Sequence, residues 1–572
     1  MVKENENKGS EPFWVDKAGL WCLSPGDDSP VWLSAPLSVI GRSRNNIGEG
    51  HGLLVAWNDP DGKRKEWVMP LEMLADDGKE MRKGLLNRGL RMATSLKARR
   101  RFLAWIANQR PKKTWIVTRD QGWNGHSYVL PDGVIGFSQD PIILEGWDSE
   151  KEEIQVSGEL EEWIENVSLP CLGHRKLMIS LIAAFAGPMM YWTSEENFGL
   201  HFHGGSSIGK TTTLYVAQSV WGGPRGLQRW RSTANALETV ASGRNDRLLC
   251  LDEIAQLDPR MAGEVAYMLG NGKGKHRALK DGSKAKEKSW RLVYLSSGEI
   301  SLSEFVETNG GIMRGGMGVR QIDIRAEEGE NGILGKMEGD EKPADFISRL
   351  VGSTRFLFGT AGRAFAFEVS KDPHEHVDFV ESYRTKFLEI FEKDIKNGQS
   401  RRVCEKFGFL CGVGELAIKM KLTGWGQGVA ALATISLFEE WLELRDGGQT
   451  HEEIKAVKQV REFISRHGDS RFEAIRGQEL QTRDRAGFWR NTDDKEREFL
   501  FYPEIWTNEV CKGLSAQEVA KILHSNGWLK KGDGKNLASK ERIPYVNNPC
   551  RMYVVKSAIM EEPSRSDKMV NI

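Results

Sequence analysis

Residues 204–211 read Gly204-Gly205-Ser206-Ser207-Ile208-Gly209-Lys210-Thr211, with Gly204 and Gly209 enclosing four residues and Lys-Thr following at once. Glycine at both ends lets the backbone curl into a nest whose N–H groups converge on phosphate oxygens, while the lysine reaches the outer phosphates and the hydroxyl faces magnesium. The stretch therefore predicts a nucleotide-binding loop, formed by these eight residues and Thr212. Phe198 to His203 has the apolar pattern of a strand entering the loop, and Thr211 to Val220 that of a helix leaving it. Chance produces such a pattern in roughly a few per cent of chains this long, so a second signal is needed.

That signal lies some forty residues on, where Leu248, Leu249, Cys250 and Leu251 run into Asp252 and Glu253. A buried strand delivering Asp to a magnesium shell and Glu to a water is what in-line hydrolysis of a triphosphate requires. The expected cofactors are ATP and Mg2+, with Thr211 and Asp252 as metal ligands and Lys210 and Glu253 as catalytic groups.

The chain has 572 residues, enough for three or four domains, and its 80 Lys plus Arg balance its 80 Asp plus Glu. Any nucleic-acid partner must be met by a local patch rather than by bulk charge. Seven scattered cysteines, with no paired metal spacing and no signal peptide, predict reduced thiols and a cytoplasmic location. The longest uncharged apolar stretch, Leu177 to Trp192, contains Gly187-Pro188 and is 16 residues long, so it reads as a buried helix and not a membrane span.

The predicted organisation is an α/β chain in four parts. Residues 13–160 form a mixed α+β N-terminal domain, 161–368 a P-loop ATPase core, 369–468 a helical lid or connector, and 469–560 a winged-helix-like C-terminal domain. Residues 1–12 read as a loose tail. In the first part, Leu53 to Trp57 and Lys63 to Met69 flank a turn at Asn58-Asp59-Pro60-Asp61-Gly62, and Thr114 to Thr118 and His126 to Leu130 are strand candidates. Gly84 to Gln109 looks helical, and its Arg99-Arg100-Arg101 cluster is either a nucleic-acid contact or a solvated face. The segment from about Leu160 to Glu196 is helical in pattern. Later helices open with capping signals at Thr450-His451-Glu452-Glu453 and Ser515-Ala516-Gln517-Glu518.

Between the Asp252-Glu253 strand and the next apolar run, Leu292 to Leu295, the chain is strongly basic. Lys273, Lys275, Arg277, Lys280 and Lys284 are the candidate DNA contacts there, on a glycine-punctuated segment with the hairpin dipeptide Asp281-Gly282. Phosphate contacts of this kind hold any strand without reading its sequence; the alternative is a solvated loop. Ser297, ahead of Ser296, is the candidate sensor of the outermost phosphate, against an ordinary turn. Arg320 and then Arg314 are candidates for an arginine finger offered to a neighbouring subunit, against a structural ion pair. Arg363 is a candidate second sensor. Val319 to Ile324 reads as a strand.

These residues together resemble the mobile-element helicase family catalogued as domain of unknown function 927, whose core is similar to the AAA+ minichromosome-maintenance and superfamily three viral helicases. Besides the loop, the resemblance rests on Trp230-Arg231-Ser232-Thr233-Ala234-Asn235-Ala236-Leu237-Glu238, Asn271 to Lys275, Leu295 to Glu299 and Gly359 to Arg363. Upstream it rests on Ser34 to Leu37, Gly122-Trp123 and Val129 to Asp132, so that it covers about residues 14–368. It implies an ATP-driven DNA helicase that replicates plasmids, prophages or integrative elements. Such an enzyme is a homo-oligomeric, hexameric ring acting on single-stranded or forked DNA, with the basic segment as a pore hairpin and a primase supplied separately. Met317 stands where related viral helicases place an arginine, which leaves the finger open between Arg320 and Arg314. Two other readings stay in view: a regulatory DNA-associated ATPase, such as a loader or defence switch without processive unwinding, and a structural nucleotide site in a DNA-binding scaffold.

Overall fold

The computed structural model describes residues 13–25, 28–147, 153–275, 287–308, 315–337, 339–445, 451–475, 484–492, 496–534 and 536–560. Its centre is a five-stranded parallel sheet. The strands are β1 (Phe198–His203), β2 (Gln228–Arg229), β3 (Arg247–Asp252), β4 (Leu292–Gly298) and β5 (Gln321–Arg325), in the order β2-β3-β4-β1-β5. All pairings are parallel, so every strand ends on the same edge of the sheet. Because β4 lies between β1 and β3, the end of β4 falls between the glycine loop that follows β1 and the acidic pair that closes β3.

Both faces of this sheet are covered, as the near-continuous apolar strands demand. Leu248 and Cys250 of β3 face one core, with Phe198, Leu200 and Phe202 of β1. Leu249 and Leu251 face the other, with Tyr294 of β4. On the first face lie α1 (Arg175–Thr193) and α2 (Lys210–Ser219). On the second lie α3 (Ala234–Ser242) and α4 (Pro259–Asn271).

The apolar stretch around Gly187-Pro188 is thus the interior helix α1, and no helix among the described residues is long and apolar enough to cross a membrane. Proline removes the helical bond to the carbonyl four residues earlier. Here that freed carbonyl, on Ala184, accepts the Trp221 indole N–H at 2.8 Å. Gly187 is small for a different reason: a Cβ there would lie 2.6 Å from the Arg247 Cα, so α1 rests directly on the start of β3.

The helices after the core, Pro373–Phe391, Gly398–Lys419 and Val429–Glu443, share the first face's core with α1. The buried Lys176 of α1 pairs with Glu440 at 2.7 Å, and Arg384 and Lys406 both pair with the buried Glu195 just beyond α1, at 2.6 and 3.2 Å. These helices therefore back the sheet. Helix His451–His467 packs instead into a C-terminal core through Ala456, Val460 and Ile464, with the helices Trp506–Val510 and Ala516–Ser525 and a mixed sheet built around Cys550–Lys556.

The N-terminal part is a five-stranded sheet with Leu37–Arg44 at its centre, flanked by Gly52–Asn58 and Thr114–Thr118. The hairpin Gly52–Asn58 to Arg64–Pro70 forms as its turn residues predict. The single helix expected over Gly84 to Gln109 is instead two, Lys79–Asn87 and Leu96–Ala107. The break falls at Gly89, whose φ is +86°, after which Met92 makes a bridge to Ser34. Val319 and Arg320, expected in a strand, close a short helix, Gly315–Arg320, and β5 starts one residue later. The tail 1–12 and Thr450 lie outside the described residues.

Candidate functional site

The loop from Gly204 to Gly209 joins β1 to α2, so the N–H groups of the first helical turn have no partner within the helix. Its bend needs unusual backbone: Gly204 has φ +151°, Gly209 +97°, and Ser207 +62°. The Lys210 ammonium lies across the mouth of the nest, donating to the carbonyls of Gly204 at 2.9 Å and Gly205 at 2.5 Å. Gly205, Ser206 and Ser207 are exposed at the rim, whereas Thr212 is buried in the core side of the helix.

β3 and β4 bring three more groups to the same edge. The Asp252 carboxylate accepts the Thr211 hydroxyl at 3.3 Å and the Ser297 hydroxyl at 2.5 Å, through one oxygen. Ser297 accepts in turn from the Glu253 backbone N–H at 3.0 Å. This bond holds Glu253 at φ +58°, a left-handed conformation that costs a non-glycine residue of order 1 kcal/mol and gathers at working sites. Lys210, Thr211, Asp252, Glu253 and Ser297 are therefore brought together from residues up to 87 positions apart.

The chemistry of Thr211 and Asp252 fits magnesium, which prefers hard oxygen donors at 2.0–2.1 Å; two such donors on adjacent octahedral corners lie about 2.9 Å apart. The 3.3 Å between these two oxygens is close to that spacing.

Ser296 points to the opposite face. It accepts the Trp230 indole N–H and meets His201 Nδ1, both at 2.9 Å, and His201 Nε2 meets the Ile300 carbonyl at 3.0 Å. The residue next to the sensor candidate is thus part of a buried support, which separates the roles of the two serines. Glu327 is a group that no sequence signal marked. Its carboxylate accepts the Gly205 N–H at 2.8 Å and would lie 2.5 Å from a Cβ on Gly204. Burial alone would raise this carboxyl, but the N–H groups of Gly205 and of its own residue, with Arg325, outweigh that and hold it below its usual range.

The other candidates fall elsewhere. Arg320 precedes β5, at the edge of the sheet remote from the loop, the length of a strand or roughly 15–20 Å away. Its guanidinium lies 5.5 Å over the Tyr267 ring and donates to the Gly316 carbonyl at 3.1 Å. It cannot reach the phosphate loop of its own chain. Arg363 is not beside the loop either: it pairs with Asp132 and donates to the Ile154 carbonyl at 2.7 Å, beyond the far end of α2. Its expected sensor role is replaced by a tie between the N-terminal part and the core. Arg314 lies outside the described residues.

The basic segment begins as a hairpin stem. Gly274 N–H donates to Lys288 O at 2.8 Å and Trp290 N–H to Gly272 O at 2.9 Å, with Lys273 opposite Ser289. Asn197 locks the base by donating to the carbonyls of Leu269 and Trp290 and accepting from Leu292 N–H. Lys273 is exposed, while Lys275 pairs with Glu264 at 2.7 Å. Arg277, Lys280 and Lys284 lie outside the described residues. The 13-residue helix α4 links this stem back to Glu253.

The stretch Gly122-Trp123 has a structural reason. Trp123 N–H donates to the buried Asp246 carboxylate at 2.9 Å, and Gly122, at φ +88°, is pressed against the same group. Asp246 also holds Arg291 at 2.7 Å. It therefore joins the N-terminal part, the start of β3 and the entry to β4.

A solved structure titled "SCCmec type IV Cch - active helicase" is similar over 96% of this chain and 99% of that chain, with a TM-score of 0.74 and 16% identity. The two share a fold. The apo C-terminal region of NrS-1 aligns over 64% of this chain and 87% of that one at 11% identity, with a TM-score of only 0.23. No curated protein matches the chain. Residues 13–290, just under half of the chain, match the family described as "Domain of unknown function (DUF927)".

Proposed function

We propose that the chain is an ATP-dependent DNA helicase or translocase, the replicative helicase of a plasmid, prophage or integrative element. The observation that carries this reading is the shared Asp252 oxygen, bonded at once by the Thr211 hydroxyl after the glycine loop and by Ser297 from the intervening strand. A structural nucleotide site has no need of that convergence, nor of Glu253 held in a strained conformation. The likeness in fold to a protein titled an active helicase of SCCmec supports the same class.

In this reading the loop N–H groups and Lys210 take the phosphates, Lys210 exchanging its present carbonyl partners for phosphate oxygens. Thr211 and Asp252 hold magnesium, which supplies charge neutralisation at the transferred phosphoryl group. Glu253 orients a water for in-line attack. Ser297, bonded to both acidic residues, ties the position of β4 to the state of the site. Arg320, out of reach of its own site, serves a neighbouring copy in a ring. The hairpin on the stem 272–275 and 287–290 grips one DNA strand through Lys273, Lys275, Arg277, Lys280 and Lys284.

The test is strand displacement on a forked DNA with ATP. The wild type separates strands, and a Lys280→Ala/Lys284→Ala variant loses separation at least about tenfold while keeping basal hydrolysis, since each lost phosphate contact weakens the grip on the strand. Unwinding unchanged by the double substitution overturns the hairpin role. Hydrolysis without strand separation by the wild type would make the chain a regulatory ATPase.

A further inference from the structure

The N-terminal part contains a cavity of about 700 Å³ that belongs neither to the glycine loop nor to the hairpin. Its apolar lining is Leu53, Leu71, Leu74 and Ala107, and its charged lining is Arg42, His51, Arg110 and Lys112, with no carboxylate. Arg42, His51, Arg110 and Lys112 are all exposed, and among the described residues none of them makes an ion pair. The size is that of a ligand site, and the pattern of an apolar floor with a few convergent polar groups is how such sites are built.

The cavity stands at one end of a longer cationic surface. Between residues 81 and 119 the sequence has twelve Lys and Arg and not one Asp or Glu, in a chain whose charges balance overall; Arg82, Lys83 and Arg119 at its ends pair with Asp77, Glu80 and Glu145 outside it. Arg99 and Arg100 are exposed on helix Leu96–Ala107, which ends at the cavity, and Lys113 is exposed just past it. A helix C-terminus repels anions. Here Arg110 donates to the Ala107 and Gln109 carbonyls at 2.7 and 2.8 Å, and Gln109 to the Trp105 carbonyl at 3.2 Å, so that end is already covered by cations and N–H groups.

We propose that this cavity and the surface beyond it bind a single strand of nucleic acid, with a base on the leucine floor and its flanking phosphates on Arg42, Arg110 and Lys112. A free nucleotide would fill the cavity but leave the cations of the adjoining helix unused, whereas a strand engages both. The inference rests on the proposed reading only in that the chain handles nucleic acid. It adds a second strand-binding site, on the N-terminal part.

The experiment measures fluorescence anisotropy of a labelled oligothymidylate on the full chain across a salt series, with basal ATP hydrolysis and thermal melting as controls. Arg110→Glu/Lys112→Glu should weaken binding at least about tenfold and lower the slope of log affinity against log salt by about 1.4, the share of two phosphate contacts on a single strand. Arg110→Gln/Lys112→Gln should fall between and, keeping an N–H donor for the carbonyls of the helix end, should melt like the wild type, and both variants should hydrolyse like it. Affinity and slope equal to the wild type overturn this site while leaving the helicase reading intact. Competition by adenosine monophosphate as effective as by the oligonucleotide would make the cavity a free-nucleotide site and overturn the strand. A wild type that binds no oligonucleotide overturns both.

Discussion

His201 shows how single residues prepare the site from behind. The Trp230 N–H occupies a lone pair of Ser296, which leaves the serine proton for His201 Nδ1, so the imidazole carries its proton on Nε2 and donates it to the Ile300 carbonyl. Burial pushes this imidazole below its ordinary value of 6.5, against the opposing pull of Asp323 and with help from His203 and Lys210. Burial lowers His174 in the same sense. A histidine held neutral in the fold is protonated first in the unfolded chain. Its contribution is therefore complete above pH 6.5 and is lost as pH falls from there toward the folded value. The unfolding free energy read from urea titrations should fall as pH drops below about 6.5, by at most about 1.4 kcal/mol per pH unit for each such histidine, and His201→Gln should flatten the fall. A drop of equal steepness in the variant would contradict this assignment. At this scale the sequence marks the residues of the glycine loop, Asp252 and Glu253, because their types and spacing carry the chemistry locally. It does not mark Glu327, which reaches Gly205 only through the fold, and it misplaces Arg363, whose partner Asp132 is 231 residues away.

Among the elements, α1 and β3 meet in a close seam. Gly187 is there to make room, since a Cβ would meet the Arg247 Cα at 2.6 Å, and neither helix nor central strand can move without disturbing the other. Gly187→Val should destabilise the chain by roughly 1–3 kcal/mol through overpacking, read as a lower melting temperature. A melt unchanged from the wild type would mean that the seam can open. The core strands are legible because their apolar runs are short and end at chemistry-bearing residues. The breaks are less so. Gly89 ends one helix and lets a second begin, yet an isolated glycine in a helical pattern is usually tolerated. Val319 has the β-branched look of a strand residue but lies in the last turn of a helix, where packing overrides propensity.

For the whole molecule, one sheet edge carries the glycine loop, the acidic pair and Ser297, while the opposite edge carries Arg320 and the base of the basic hairpin. Helix α4 runs between the two. On the proposed reading, motion of Glu253 and β4 during hydrolysis would pass along α4 to the hairpin, and Arg320 would serve a neighbouring copy. This separation was beyond the sequence, which orders motifs along the chain but not along the strands that carry them. The N-terminal part is fixed to the core by Trp123 on Asp246 and by Asp132 on Arg363, so stretches that read only as family phrases turn out to be joints. The most direct measurement is phosphate release from ATP and magnesium, with and without single-stranded DNA, by the wild type and by Glu253→Gln. Turnover by the wild type should rise with DNA, and the variant should lose about 100-fold or more, the scale of a positioned general base. Turnover by Glu253→Gln equal to the wild type, or no turnover by the wild type under either condition, would contradict the proposed function.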